Sequence, residues 1–201
     1  SAYIGVMIDD LVTKGTKEPY RLLTSRAEFR LLLRHDNADI RLRKHGYDIG
    51  LVSEKVYNDF LTKMSDIAEL IEKLKEIRFT PKSEYNQYLI ANGYKSLEQG
   101  LSAEEILKRP NITLLEMIPY LNLEKAYSNE VIEEAEIQVK YLGYITKQQE
   151  SANRLKELDD VKIPDDINYD EVTHLALEAR QKLVKIRPHT IGQASRISGV
   201  N

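Results

Sequence analysis

SEKVYNDFLTKMSDIAELIEKLKEIR, residues 53–78, decides the fold class. Val56, Phe60, Met64, Ile67, Ile71, Leu74 and Ile77 follow one another at steps of four, four, three, four, three and three. That spacing lays them along one stripe of an amphipathic helix about seven turns long, with Lys, Asp and Glu on the opposite face. Ser53 is a ready N-cap, because its hydroxyl can accept from a free N–H of the first turn. Downstream, Thr80-Pro81 reads as N-cap and first-turn proline of a helix to about Asn92, with Gly93 taking the left-handed residue after its end. Ser102-x-x-Glu105 is a capping box for a short helix ending near Pro110, and Thr113 to Tyr120 forms another. Ser128 opens a second long helix to about Leu158, with Val131, Ala135, Val139, Leu142, Ile145, Ala152, Leu155 and Leu158 on one broad face. Asn168 or Asp170 caps a helix to about Ile186, and Thr190 caps a last short one, Ile191 to Ile197.

Upstream, Ser25 and Glu28 form a capping box for a helix whose apolar face is Phe29, Leu32 and Leu33. His35-Asp36-Asn37 interrupts it and caps a second through Ile40 and Leu42, closed by Gly46 or Gly50. Alternation of period two is confined to Tyr3–Ile8 and Tyr20–Leu23. The expected fold is mainly α: a helical bundle with two long helices, roughly antiparallel, several short ones, and room for one or two short strands near the N-terminus. The turn Ser198-Gly199-Val200 stands where a further helix would normally follow, so a chain truncated before its last helix is expected.

Composition excludes several chemistries. The chain has 201 residues and no cysteine, so thiol catalysis, disulfides and cysteine metal sites are out. Its nine glycines form neither G-x-G-x-x-G nor G-x-x-x-x-G-K, so no nucleotide cradle is present. His35, His45, His174 and His189 are too dispersed for a helical metal pair. No apolar run approaches the ~18–20 residues of a membrane span and no signal peptide opens the chain, so a cytoplasmic protein without a membrane is expected.

The net charge of −3 conceals an asymmetry. Residues 14–47 hold nine Lys/Arg against four acids, a net of +5, and the rest carries −8. Such polarisation suits an anionic partner. Arg26, Arg30 and Arg34 recur every four residues and would form one stripe of a helix, preceded by Lys14, Lys17 and Arg21 and followed by Arg41 and Arg43. Planar guanidinium groups suit phosphates and stacked bases. A solvated face with arginines paired to Glu28 and Asp39 explains the same residues. Asp9-Asp10 and Asp36-x-x-Asp39 are carboxylate pairs of the kind that hold Mg²⁺, although helix capping accounts for Asp36 as well. Glu18, His35 and Asp39 can be drawn as an acid–base set, but no spacing demands it. Gly143, inside the second long helix, carries a helix penalty of about 1 kcal/mol and permits close approach. Lys140 and Tyr141 beside it could face RNA or simply pack. The small residues of 191–200 suit close helix packing, within the protein or across an interface.

Five segments resemble one family. Residues 13–21 (TKGTKEPYR), 24–34 (TSRAEFRLLLR) and 36–39 (DNAD) are similar to the start of the C-terminal region of the MnmG (GidA) family, and residues 136–145 (EIQVKYLGYI) and 191–200 (IGQASRISGV) match two later motifs in the same order. Residues 80–126 match loosely, and Ala176 and Ala179 depart from the family pattern while Glu178 and Lys182 keep register. The resemblance implies part of an FAD- and NADH-dependent enzyme that, with the GTPase MnmE, installs (carboxymethyl)aminomethyl at C5 of the tRNA wobble uridine. It implies that FAD and NADH bind outside this chain, which would bind neither and hold no catalytic residue, and that the whole enzyme is a homodimer. Residues 1–50 would border the flavin domain and 51–201 would form the helical domain. By the same analogy Arg21 and Arg30, then Lys14, Lys17, Arg26 and Arg34, with Lys140 and Tyr141, are the expected tRNA contacts. Glu178, Lys182, Gln193, Arg196 and Ile197 mark the expected MnmE-docking end. A purely structural, protein-interacting domain with its arginines in ion pairs is the alternative.

Overall fold

The computed structural model describes residues 2–14 and 18–200, which divide into two compact units, 1–145 and 146–201. The division falls inside the 51–201 segment expected as one domain. The described residues are mainly helical. Helix α1 spans Tyr3–Asp9 and runs into a π-helical turn, Asp10–Lys14. Single 3₁₀ turns follow at Thr24–Arg26 and Arg30–Leu32. Then come α2 (Ala38–Asp48), α3 (Glu54–Glu76), β1 (Arg78–Phe79), α4 (Glu84–Ala91), β2 (Leu101–Ser102), α5 (Ala103–Leu107), α6 (Leu114–Met117) and α7 (Asn129–Asp160). The second unit takes the end of α7 and adds α8 (Leu177–Ile186) and α9 (Ile191–Ser195). No helix among the described residues is long and apolar enough to cross a membrane.

The first unit is organised by α3. Ile67, Leu70 and Leu74, spaced three and four apart, are buried against Leu89 of α4, Ile106 and Leu107 of α5, Met117 of α6, and Val131, Ala135 and Val139 of α7. Both long helices thus enter one core, while α3 lies closest to α5 and α2. The predicted stripe is buried only over its C-terminal half. Val56 is 41% exposed, and the start of the helix instead carries the stacked rings of Tyr47 and Tyr57, 4.2 Å apart. The expected caps form at Ser53 and Thr190, Ser102 with Glu105 makes the full capping box, and Thr113 and Ser128, where helices were expected to start, also cap them. Asn86 shows how a buried amide is satisfied. It donates to the Pro81 carbonyl and accepts from the Leu97 N–H, both at 2.7 Å, and so ties α4 to its neighbouring loops. In the second unit, Ile163, Tyr169, Leu183 and Ala194 form the core, and the Lys162–Thr190 bridge lays the two loops antiparallel.

Five expectations are corrected. The Tyr3–Ile8 segment is helical, not a strand: Tyr3, Val6 and Met7 are half-buried while Ile4, Gly5 and Ile8 are exposed, which is not an alternation of period two. Tyr20–Leu23 is irregular, and the two strands lie at 78–79 and 101–102, paired antiparallel between α3 and α5. Residues 25–34 do not form an α-helix. Ala27 is buried in extended backbone, and Arg26 and Arg34 bond to groups outside the segment, so tertiary anchoring overrides local propensity. Helix α4 starts at Ser83, whose hydroxyl donates to Thr80 O and accepts from Asn86 N, and α8 starts only at Leu177, after left-handed His174 (φ 67°).

Leu70 is fully buried and Val56 is not. Leu70→Ala should therefore lower the stability of the first unit by about 2–5 kcal/mol, and Val56→Ala by less than about 1 kcal/mol, in urea denaturation followed by circular dichroism.

Candidate nucleic-acid interface

The structure sorts the basic residues of the N-terminal segment into two groups. The first is engaged. Arg26 lies 3.6 Å from the carboxylate of Asp10 and over the ring of Tyr20, 4.9 Å from its centroid. Asp10, buried, also accepts from the Tyr20 hydroxyl at 2.8 Å. Arg34 is held more firmly. Its Nε and Nη2 donate to Asp36 at 2.9 and 2.8 Å, its Nη1 donates to Leu31 O at 2.9 Å, and Nη2 lies 3.8 Å from Glu134 on α7. Arg41 donates to Asn37 Oδ1 at 2.9 Å and to Arg34 O at 3.0 Å. The second group is not engaged: Arg21 and Arg30 are exposed, and their guanidinium groups meet no partner among the described residues. Lys17 lies outside the described residues, and of Lys14 only the backbone, at the end of the π turn, is described. The stripe expected from four-residue spacing does not exist, because the helix that would align Arg26, Arg30 and Arg34 is replaced by two 3₁₀ turns.

The cluster at Arg34 controls the charge of two carboxyls. Burial pushes Asp36 up, but the Arg34 guanidinium more than offsets this and holds it below the usual carboxylate range. Burial pushes the carboxyl of Glu134 above its usual value, even though Gln138 donates to it at 3.0 Å. Glu134 was not singled out from sequence. It sits in the charged run Glu133-Glu134-Ala135-Glu136, and its one usable signal is the i, i+4 relation to Gln138.

The carboxylate pairs proposed for a metal have other partners. Asp10 serves Tyr20 and Arg26, Asp36 serves Arg34, and Asp39 accepts from Ile40 N at 2.7 Å and Lys63 Nζ at 2.9 Å. A shallow depression of about 500 Å³ opens beside them, lined by residues that include His35, Asp36, Asp39, Arg43 and Val52. It does not fit FAD. Two carboxylates face into it, where a pyrophosphate needs N–H groups, and the space a side chain would take at Gly46 is filled by Val52, 2.8 Å away. The acid–base set is likewise not assembled as a unit: Glu18 and His35 are exposed, and only Asp39 is tied into the fold.

On α7, Lys140 donates to Ile112 O and to Glu136 at 2.8 Å, while Glu136 accepts from Leu114 N at 2.7 Å. Lys140 therefore fastens α6 to α7. Tyr141 is exposed, with Tyr144 at 6.5 Å, and nothing approaches Gly143 within 4 Å.

In the second unit the residues expected to dock a partner are used internally. Lys182 donates to Glu178 and to Ser198 O at 2.6 Å. Gln193 accepts from His189 N at 2.8 Å, and Ile197 packs on the small core. Arg196 makes a two-pronged pair with Asp159, both bonds at 3.0 Å. Gly192 lets this pair form, since a Cβ there would stand 2.0 Å from Asp159 Oδ1 and 2.9 Å from its backbone N.

Residues 54–149 match the family described as the tRNA modifying enzyme MnmG/GidA C-terminal helical domain, and residues 151–201 match the MnmG/GidA C-terminal helical bundle. The chain belongs to the MnmG/GidA family. The junction of the two matches falls close to the division between the two compact units. The tRNA uridine 5-carboxymethylaminomethyl modification enzyme MnmG of Pediococcus pentosaceus is 54% identical over 200 residues, which make up 99% of this chain and 31% of that protein. Its counterpart in Lacticaseibacillus paracasei is 55% identical over 200 residues, again 31% of that protein. Among solved structures, Aquifex aeolicus GidA in its form II crystal is 41% identical, with a TM-score of 0.69, over 100% of this chain and 31% of that one. The chain thus spans about a third of the MnmG proteins it matches, over their C-terminal helical region.

Two substitutions test this geometry. Gly192→Ala should destabilise the second unit by about 1–3 kcal/mol through overpacking against Asp159 and leave the first unit unchanged, read as separate amide-exchange protection of each. Arg34→Met strips the counter-charge from Asp36 and Glu134, with an expected loss of roughly 2–4 kcal/mol at pH 7. Because Asp36 is held low by Arg34, its share of stability is present above its unfolded pKa and fades as pH falls through the folded value; Glu134, held high, runs the opposite way. The difference between Arg34→Met and wild type should therefore shrink below about pH 4 in pH-dependent denaturation.

Proposed function

We propose that this chain is the C-terminal part of an FAD- and NADH-dependent enzyme that installs (carboxymethyl)aminomethyl at C5 of the tRNA wobble uridine, and that its first unit contacts tRNA. The names of the similar proteins support the reaction. The observation that carries the RNA contact is the pair of exposed, unengaged arginines, Arg21 and Arg30, on a segment where Arg26, Arg34 and Arg41 are held by other groups. Arginines kept in water without a carboxylate are available to phosphate oxygens, and binding through them should depend steeply on salt. Tyr141 offers an exposed ring for stacking, whereas Lys140 acts within the fold. In this reading the cofactors bind in the rest of the enzyme, a homodimer in the cytoplasm, and this chain performs no redox step.

The second unit is proposed as the docking end for the partner GTPase MnmE. Its contact residues would be the exposed Leu177, Val184 and Ile186 of α8, because Glu178, Lys182, Gln193 and Arg196 are committed to each other and to the backbone. The alternative, a structural role for the arginines, is favoured for Arg26, Arg41 and most of all Arg34, whose guanidinium is shared by two carboxylates.

Arg21→Ala and Arg30→Ala should each weaken tRNA binding several-fold in filter binding at about 0.1 M salt, and the double variant more. Normal binding by both variants would show that the basic segment is not an RNA surface.

A further inference from the structure

Arg30 sits in the 3₁₀ turn Arg30–Leu32, which closes through two backbone bonds, Leu32 N to Phe29 O at 2.9 Å and Leu33 N to Arg30 O at 3.1 Å. A turn this short does not hold itself in water. A third bond comes from a side chain: the Arg34 guanidinium donates to the carbonyl of Leu31, the middle residue of the turn, at 2.9 Å. The conformation that presents Arg30 therefore depends on where that guanidinium is held.

Two carboxyls hold it, and they differ in kind. Asp36 accepts at 2.8 and 2.9 Å, but it lies two residues from Arg34, so this pair moves with the segment. Glu134 lies 3.8 Å from Nη2, belongs to α7 and is only 4% exposed. Its carboxyl is fixed in turn by Gln138, one helical turn on, at 3.0 Å. Leu33 is buried and gives the segment apolar footing, but burial has no direction and does not orient the turn. The next ionic link to the body, Lys63 of α3 to Asp39 at 2.9 Å, comes further along, on α2. Among the described residues, Glu134 is thus the one carboxyl of the helical body within ion-pair reach of Arg34.

We infer that Glu134 is a positioning residue for the RNA contact. It touches no RNA itself: buried on α7, it holds Arg34, and Arg34 holds the turn that keeps the Arg30 guanidinium in solvent. This rests on the reading of Arg30 as an RNA contact. An arginine on an unfixed backbone must be ordered at the binding step, and that ordering is subtracted from affinity. Arg21 lies outside this chain of bonds and is not governed by it.

The test is a double-mutant cycle in tRNA filter binding with the 201-residue chain. Glu134→Ala should weaken binding several-fold. In that background Arg30→Ala should cost little more, less than about twofold, whereas Arg21→Ala should still cost its full factor. Amide exchange supplies the structural readout: the Leu33 N–H should lose protection in Glu134→Ala while the amides of α3 keep theirs. Glu134→Gln, which keeps an acceptor oxygen at the same reach, should restore most of the binding and of the Leu33 protection. If Glu134→Ala also strips protection from α3, Glu134→Asp, which keeps the charge but withdraws it by one methylene, takes its place in the cycle with the same expectations. Independent, multiplying losses from the Glu134 and Arg30 variants overturn the positioning role. So does normal binding by the Glu134 variant beside weakened binding by Arg30→Ala; in both cases the RNA reading stands. Normal binding by Arg30→Ala removes Arg30 as an RNA contact, and the positioning role with it.

Discussion

The N-terminal segment depends on one exchange of charge. Arg34 is shared between Asp36, two residues away, and Glu134, on the last helix of the same unit. Glu134 is buried, and a lone buried carboxylate is costly, so arginine, glutamine and helix come as a set. That set fixes where the chain leaves its two 3₁₀ turns and enters α2. Arg41 closes the arrangement by donating to the carbonyl of Arg34 itself. A short basic segment with little regular structure therefore has a defined path over the unit, and the residues it leaves outside, Arg21 and Arg30, are presented in water.

The helices were legible for a simple reason. Steps of three and four over more than twenty residues cannot be satisfied by a strand, and Ser or Thr placed before such a run caps it. The limits were Ser53, Ser102, Thr113, Ser128 and Thr190, and each side chain accepts from its own first turn. What misled was short and locally ambiguous. Tyr3 to Asp9 is apolar on nearly every residue, so period two and period 3.6 fit it alike. Residues 25–34 carry a good helical pattern, but Arg26 pairs with Asp10 and Tyr20, and Arg34 bonds to Asp36 and also pairs with Glu134, 100 positions away along the chain. Pattern reading is blind to such partners.

Composition singled out the candidate segment, and geometry was not legible in it. A net charge of +5 in residues 14–47 sets the segment apart from the acidic remainder. Spacing could not tell an exposed arginine from one holding the fold together, since Arg30 and Arg34 sit four apart, one in solvent and the other paired with Asp36. The second unit teaches the same lesson. Arg196 and Gly192 stand in a motif that suits close packing within the protein or across an interface, and here one pairs with Asp159 while the other makes room for that pair. Both belong to the packing that shapes the unit, while the surface available for contact lies on the exposed apolar residues of α8.

The proposed tRNA contact lies along the N-terminal basic segment and not on the acidic helical body. Ultraviolet cross-linking of tRNA to the 201-residue chain, followed by mass spectrometry of the nucleotide-bearing peptides, addresses it directly. Cross-links concentrated within residues 18–47, lost as salt is raised, are the expected result. Cross-links confined to residues 54–200, or none in the basic segment at low salt, would contradict it.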